Sequence, residues 1–476
     1  MSALPAETLM QWGAFTVEVA PDGAGFRLLH GADEWAAFSL HRMTPTGRFT
    51  DDADEVEHSF ALDDLHGAVR HSIAQNWTIR WALRAAQPSE LDEPPLLRVR
   101  PGAASVVWAW PAGAEAVLAI GPRRRGGPVV GLRLTQGWLG ADCDGFALAP
   151  EGLLLAPGRR WVGSLRAELL PDLRGIGARL PAWLAPLELT AGQPWEFRQP
   201  DQALVVQPPA TTRAEGDAVQ VLGGAGRAGV LLHSARGLTA LTLSFAPTLD
   251  TLLAAVASAV LRGDRPASPA AAFVVAEALG RSLISQPLAA EEWLDDYDWQ
   301  RETDLLAIAS GIVRGQRAGN ARPVRAALRR LRVVHPQLGF GRVVMAAWLA
   351  GLALGDDARD DAVALLTRPS GADWVGLELN VLNLRSVEVA GPLFDGLINA
   401  LGGDLPGEPV GLSAVQQAQL TGLLQLCPEE WPMAGAAAVC ATKNSRRLLA
   451  AVASSGFGGP DDLAVLAWLA LGESLV

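Results

Sequence analysis

Leu241-Thr242-Leu243-Ser244-Phe245-Ala246-Pro247-Thr248-Leu249-Asp250-Thr251-Leu252-Leu253-Ala254-Ala255-Val256 changes its hydrophobic period in mid-run. Up to Phe245, apolar residues alternate with polar ones, the two-residue repeat of a half-buried strand. From Leu249 onward the apolar positions are 249, 252, 253, 256 and 260, spaced by threes and fours as on one face of a helix. Pro247 and Thr248 separate the two patterns. The switch happens once along the chain, so the sequence reads as an all-β half followed by an all-α half.

Upstream of the switch, turn signals recur every 8 to 12 residues, the spacing of an antiparallel sandwich or barrel. Trp77, Ile79, Trp81 and Leu83 fall on one face of a strand, with Thr78, Arg80 and Arg84 on the other. The runs 15–20 and 26–29 flank Pro21-Asp22-Gly23-Ala24-Gly25, a hairpin turn. The runs 96–99, 105–110, 116–120, 129–134 and 161–169 continue the strand series. A proline-bearing stretch, 180–186, reads as a boundary. A smaller β unit follows, with strands expected at 203–206, 219–222 and 230–233. The expected division is a β-sandwich domain over 1–180, a small β unit over 187–247 and an α-helical domain over 248–476.

Downstream, helices come with start and stop signals. Gly263 ends the first, and Ser268-Pro269 offers an N-cap with proline at the first helical position. Later breaks at 315–323, 335–336, 355–356, 402–403 and 456–460 predict ten to twelve short helices. No repeat of fixed period is visible. The pattern fits an open solenoid or a toroid of short α/α hairpins.

Composition narrows the chemistry. The 476 residues carry a formal charge of −12, which argues against a nucleic-acid partner. The longest apolar run, 343–354, is shorter than the roughly 20 residues of a membrane span. The opening residues lack a basic segment followed by an apolar one, so no signal peptide and a cytoplasmic location are expected. Cys143, Cys427 and Cys440 are odd in number and lack CxxC spacing, so neither a disulfide framework nor a zinc site is expected. The lone lysine, Lys443, sits in Ala-Thr-Lys-Asn-Ser, which excludes a Walker A loop. Gly224-Ala225-Gly226-Arg227-Ala228-Gly229 matches GxGxxG, but the following Val-Leu-Leu-His reads as strand. The dinucleotide fingerprint needs a helix there, so a glycine-rich turn is expected and no cofactor.

Three polar constellations remain. His30, His41, His58, His66 and His71 lie among acids, without HxH or HExxH spacing, and 50–66 reads as a polar loop or short helix. No metal site is expected. The densest acidic group is Glu291, Glu292, Asp295, Asp296 and Asp298, interleaved with Trp293, Tyr297 and Trp299. On one continuous helix Glu292, Asp295, Asp296 and Trp299 share a face. Aromatic rings beside carboxylates suit an oligosaccharide, with rings under the pyranose and paired acids for general acid–base work. Arg322, Arg325, Arg329 and Arg332 form a stripe on another helix, suited to an acidic protein partner.

The stretch 145–169, especially Leu155-Ala156-Pro157-Gly158 before the strand at 161–169, resembles the closing strands of mutarotase-like β-sandwiches. In carbohydrate-active proteins such sandwiches often precede an (α/α) toroid. The resemblance implies that fold and a carbohydrate-binding or carbohydrate-processing role, glycosidase-like if catalytic, and matches no catalytic motif. The alternative from the residues alone is a non-catalytic interaction protein presenting a helical surface. The two differ in whether the acids at 291–298 line a concave site.

Overall fold

The computed structural model describes residues 7–52, 54–123, 127–198, 203–234, 236–369, 374–383 and 387–475. The period switch is where the structure changes class. Strand Gly237–Ala246 ends at Pro247, and helix Leu249–Leu261 begins with Thr248 Oγ1 accepting from the Thr251 N–H at 3.2 Å. Val256 and Val260 are buried, as their spacing requires.

The N-terminal half is a sandwich of two antiparallel sheets, one of eight strands and one of nine. Trp77, Ile79, Trp81 and Leu83 of strand Trp77–Ala85 all face inward. Trp77, Ile79 and Trp81 share one core cluster with Phe15, Phe26 and Phe38, the last two stacked at 4.5 Å, while Leu83 packs in a smaller cluster with Leu62 and Leu65. Burying each such phenylalanine stabilises the fold by about 1.5–3 kcal/mol relative to exposure. The segment 50–66 corrects its expectation. It is part of the nine-stranded sheet, in strands Thr44–Asp52, Glu55–Leu62 and Leu65–Ile73. Val56, His58, Phe60 and Leu62 alternate inward, so two imidazoles, His58 and His71, end in the sandwich core.

The edge strand beyond Ser105–Trp110 comes from the far end of the chain. Glu408–Val410 pairs with it antiparallel, Val107 opposite Val410 and Ala109 opposite Glu408. The helical half thus supplies a strand to the sandwich. A smaller pair of sheets spans Glu188–Thr190 to Gly237–Ala246, with Glu188–Thr190 parallel to Gly237–Ala246 and the other pairs antiparallel. The GxGxxG stretch leads into a strand, Gly226–Ser234, with only Gly224 and Ala225 in the connection, so most of the expected glycine-rich turn is strand and no helix follows. Trp195, Phe197 and Phe245 of this unit share one apolar cluster with Trp108 and Trp110 of the sandwich.

From Leu249 onward, twelve helices are present among the described residues. Pro269–Gly280, Leu305–Arg317, Phe340–Ala353, Trp374–Leu382, Ala414–Leu424 and Pro460–Glu473 are the inner helices, with the alternate ones outside. Pro460–Glu473 packs on both Ala414–Leu424 and Pro269–Gly280, which closes the array. The first and last of these helices therefore meet, as in a closed array and not an open solenoid, with Val387–Ala400 joining Trp374–Leu382 to Ala414–Leu424. Helices of 8 to 14 residues, apart from Ala434–Ser454, keep it small. Pro269–Gly280 packs against Leu249–Leu261, Pro287–Asp296, Leu305–Arg317 and Pro460–Glu473, so Ala270 to Leu279 are buried without exception. At the centre, Glu378 accepts from the Gly339 and Arg342 N–H groups at 2.6 and 3.1 Å and faces Arg342 Nε at 3.3 Å, both side chains fully buried. Among the described residues no helix is long and apolar enough to cross a membrane.

Candidate functional site

The acids expected at 291–298 do not share a helix with Trp299. Helix Pro287–Asp296 ends before Tyr297, and a separate turn, Trp299–Arg301, carries the indole into the core, where Trp299 is buried against Gly311. Glu292, Asp295, Asp296 and Asp298 are exposed. Glu291 pairs with Arg317 at 2.6 Å, Asp295 with Arg314, and Asp298 with Arg301 at 2.9 Å. Glu291, Asp295 and the edge of Trp299 line a pocket of about 490 Å³ together with those two arginines of helix Leu305–Arg317. Trp293 stacks parallel on Tyr297 with ring centroids 6.2 Å apart. The arginine stripe is partly satisfied within the chain: Arg325 Nη2 donates to Asp356 Oδ1 at 3.0 Å, and Arg332 pairs with Asp361.

A larger cleft, about 1300 Å³, lies where the sandwich, the small β unit and the helical ring meet. Its position follows from the strand Glu408–Val410, which ties the ring to the sandwich edge. The sandwich wall carries Trp138, next to strand Leu139–Asp142. Its indole lies across Gly113 and Gly140, paired-strand neighbours at which any Cβ would overlap the ring. Gly113 also sits at φ +66°, a conformation glycine adopts without strain. Trp138 is part-exposed, so one indole face is seated on backbone while the residue lines the cleft. The same wall carries Asp142, Cys143 and Asp144, whose ligand atoms lie within 4.8 Å of one another.

On the opposite side, three elements bring charge together. Glu188 begins the first strand of the small unit, Arg227 lies on Gly226–Ser234, and Lys443 and Arg447 are one turn apart on helix Ala434–Ser454. Arg447 is buried and rigidly held. Its Nη1 donates to the Gly407 carbonyl at 3.0 Å and its Nη2 to Gln417 Oε1 and, at 2.7 Å, to Asn444 Oδ1. Glu408 Oε1 lies 3.2 Å from Arg227 Nη2 and 3.8 Å from Arg447 Nη1. Lys443 Nζ donates to the carbonyls of Leu405 at 2.7 Å and Leu401 at 3.3 Å, with burial pushing its ammonium below the usual lysine range. Burial pushes the Glu188 carboxyl above the usual range. Lys443 and Arg447 oppose that rise, and the negative charge of Glu408 adds to it. One cleft therefore holds a carboxyl biased toward its protonated form and a second carboxylate gripped by two guanidiniums.

None of Trp138, Glu188, Arg227, Glu408 and Arg447 was singled out as a site residue from sequence. A signal existed for one of them. Gly137-Trp138-Leu139-Gly140 sets a tryptophan among glycines, which cannot bury it with side chains.

No protein-family model matches the chain, and no curated relative does. A solved structure described as a polysaccharide lyase superposes with a TM-score of 0.60 at 11% identity, covering 91% of this chain and 93% of the other. That likeness shows a shared fold of antiparallel sandwich and helical array. A glycoside hydrolase family 81 structure from Clostridium thermocellum aligns at 10% identity over 93% of this chain and 85% of its own, but with a TM-score of 0.19 carries no argument.

Proposed function

We propose that the protein binds and processes an oligosaccharide in the cleft between sandwich, small β unit and ring. The observation that carries this reading is the seated indole of Trp138 in the same cleft as Glu188 and Glu408. A pyranose presents an apolar face of C–H groups, and an indole fixed on glycine backbone is a rigid platform for it. In the processing step Glu188, whose carboxyl burial pushes above the usual range, donates its proton to the leaving oxygen as that oxygen's bond to the sugar carbon breaks. Glu408 acts as base or nucleophile, with Arg227 and Arg447 fixing its position. The mutarotase-like reading of the sandwich belongs to this proposal; the shared fold with a structure described as a polysaccharide lyase supports the β-sandwich and helical array alone.

Calorimetric titration of the full chain with a panel of oligosaccharides, with mass analysis of products, tests it. Trp138→Ala should weaken binding at least about tenfold, ~1.4 kcal/mol. Glu188→Gln and Glu408→Gln should spare binding and abolish product formation. Glu291→Gln/Asp295→Asn serves as comparator for the acids read from sequence, and loss of turnover there with none at Glu188 would relocate the chemistry to that pocket. Absence of both binding and turnover in well-folded protein would refute the reading.

A further inference from the structure

Charge in the cleft identifies a narrower class of ligand, on the premise that the cleft is the carbohydrate site. Asp92, Glu93, Asp142, Glu151, Glu188 and Glu408 line it, six carboxyl groups against the three guanidiniums of Arg42, Arg227 and Arg447. The arginines are already engaged. Arg227 and Arg447 both face Glu408, at 3.2 and 3.8 Å. Arg42 lies 3.6 Å from Glu93 and donates to the Pro94 carbonyl at 3.1 Å. Among the described residues, Asp92, Asp142 and Glu151 make no salt bridge, and all three project from loops or strand ends of the sandwich wall that also carries Trp138.

We propose that this wall selects an oligosaccharide of amino sugars bearing free ammonium groups. An ammonium is attracted both by carboxylates that make no salt bridge, such as those of Asp92 and Glu151, and by the face of an indole. The wall offers both, with Trp138 and Asp142 at the two ends of the stretch that carries strand Leu139–Asp142. A polyanionic chain would meet six carboxyl groups and find the three cleft arginines already facing carboxylates. A neutral glycan would leave three carboxylates without use, since hydroxyls are satisfied by water at such exposed positions. The Asp142 carboxylate is kept ionised by accepting the Asp144 N–H at 2.9 Å, which holds it below the usual carboxylate range.

Titration of the full chain with glucosamine oligomers, their N-acetylated counterparts, a neutral glucan and a uronate oligomer, at mildly acidic pH and at low and high salt, tests the proposal. Glucosamine oligomers should bind at least tenfold more tightly than the acetylated ones, with the advantage shrinking as salt screens the wall. Asp92→Asn/Glu151→Gln, both at exposed positions, should erase that advantage while leaving the weaker binding of acetylated oligomers, and Trp138→Ala should weaken both. Equal affinity for charged and neutral oligomers overturns the charge inference and leaves the carbohydrate reading standing. So does preference for the uronate oligomer, whether direct or dependent on added Ca²⁺ bridging the acids. Oligolysine binding as tightly as the glucosamine oligomers, unaffected by Trp138→Ala, overturns it in favour of a basic peptide. Failure of every oligosaccharide to bind defeats the parent reading as well.

Discussion

Arg281 Nη1 lies 3.0 Å from Glu473 Oε2, although 192 positions separate the two residues. Arg281 ends the first inner helix of the ring and Glu473 the last. The same guanidinium reaches Asp250 Oδ1 at 3.0 Å and Glu277 Oε1 at 2.9 Å, and Glu277 also accepts from Ser474 Oγ at 2.7 Å. One arginine thus joins the beginning and the end of the helical array.

Because Glu277 is nearly buried and would lose its cation, Arg281→Ala should destabilise the full chain by about 2 kcal/mol. Glu473 is half-exposed, so Glu473→Ala should cost less than about 1 kcal/mol. Urea unfolding curves of the two variants check the difference. Equal costs would mean that Glu473, and not the buried Glu277, is the partner that matters.

The buried imidazole of His71 predicts acid sensitivity. Burial pushes it down to about 3, with the neighbouring His58 contributing, while an unfolded histidine titrates near 6.5. Between those values the unfolded chain binds the additional proton, so stability rises with pH through that window and is lost as pH falls through it. The full effect is on the order of 4–5 kcal/mol. His71→Phe keeps contact with Phe26 and Trp77 and should flatten the acid limb of a plot of Tm against pH. An unchanged limb would place the acid sensitivity elsewhere.

Gly407 has φ +104°, and a Cβ there would overlap the Ala109 carbonyl. Gly407→Ala should therefore lift Glu408–Val410 off the sandwich edge, at a cost of about 1–3 kcal/mol, and displace Glu408 from Arg227 and Arg447. Hydrogen exchange should speed up at Val107 and Ala109, the residues opposite the displaced strand. Unchanged protection there would show that the edge strand tolerates the added methyl.

Cys143 is the exposed thiol of the cleft, whereas Cys440 is buried and burial pushes Cys427 up to about 11. Maleimide should label Cys143 first. Its hydrogen bond to Asp142 Oδ1 at 3.4 Å, and the charge of that carboxylate, raise the thiol above the usual range. Asp142→Asn should accelerate labelling, and a ligand bound at Trp138 should slow it. Labelling indifferent to a saturating oligosaccharide would exclude the Asp142 side of the cleft from the binding surface.

Much of the fold was legible because periodicity is a local property. The alternation Trp77, Ile79, Trp81, Leu83 and the spacing Leu249, Leu252, Leu253, Val256 each state which face is buried, without reference to any distant element. The inward alternation of Val56, His58, Phe60 and Leu62 was equally readable, but the surrounding acids masked it. At 291–299 the helical spacing was extended three residues past the true end at Asp296, and that placed Trp299 on a face it does not share.

By itself, the sequence determined that strands precede helices, that the change falls at Pro247-Thr248, and that Ser268 starts a helix. Hydrophobic period and capping chemistry act within a few residues. Tertiary structure alone decided that the ring closes, through Arg281 and Glu473, and that Glu408–Val410, a strand of three residues between glycines, completes a sheet three hundred positions upstream. It also decided that Trp138, Glu188, Glu408 and Arg447 share one cleft. Such meetings depend on how whole faces pack and on which strand edge is left unpaired, and no local pattern encodes the partner.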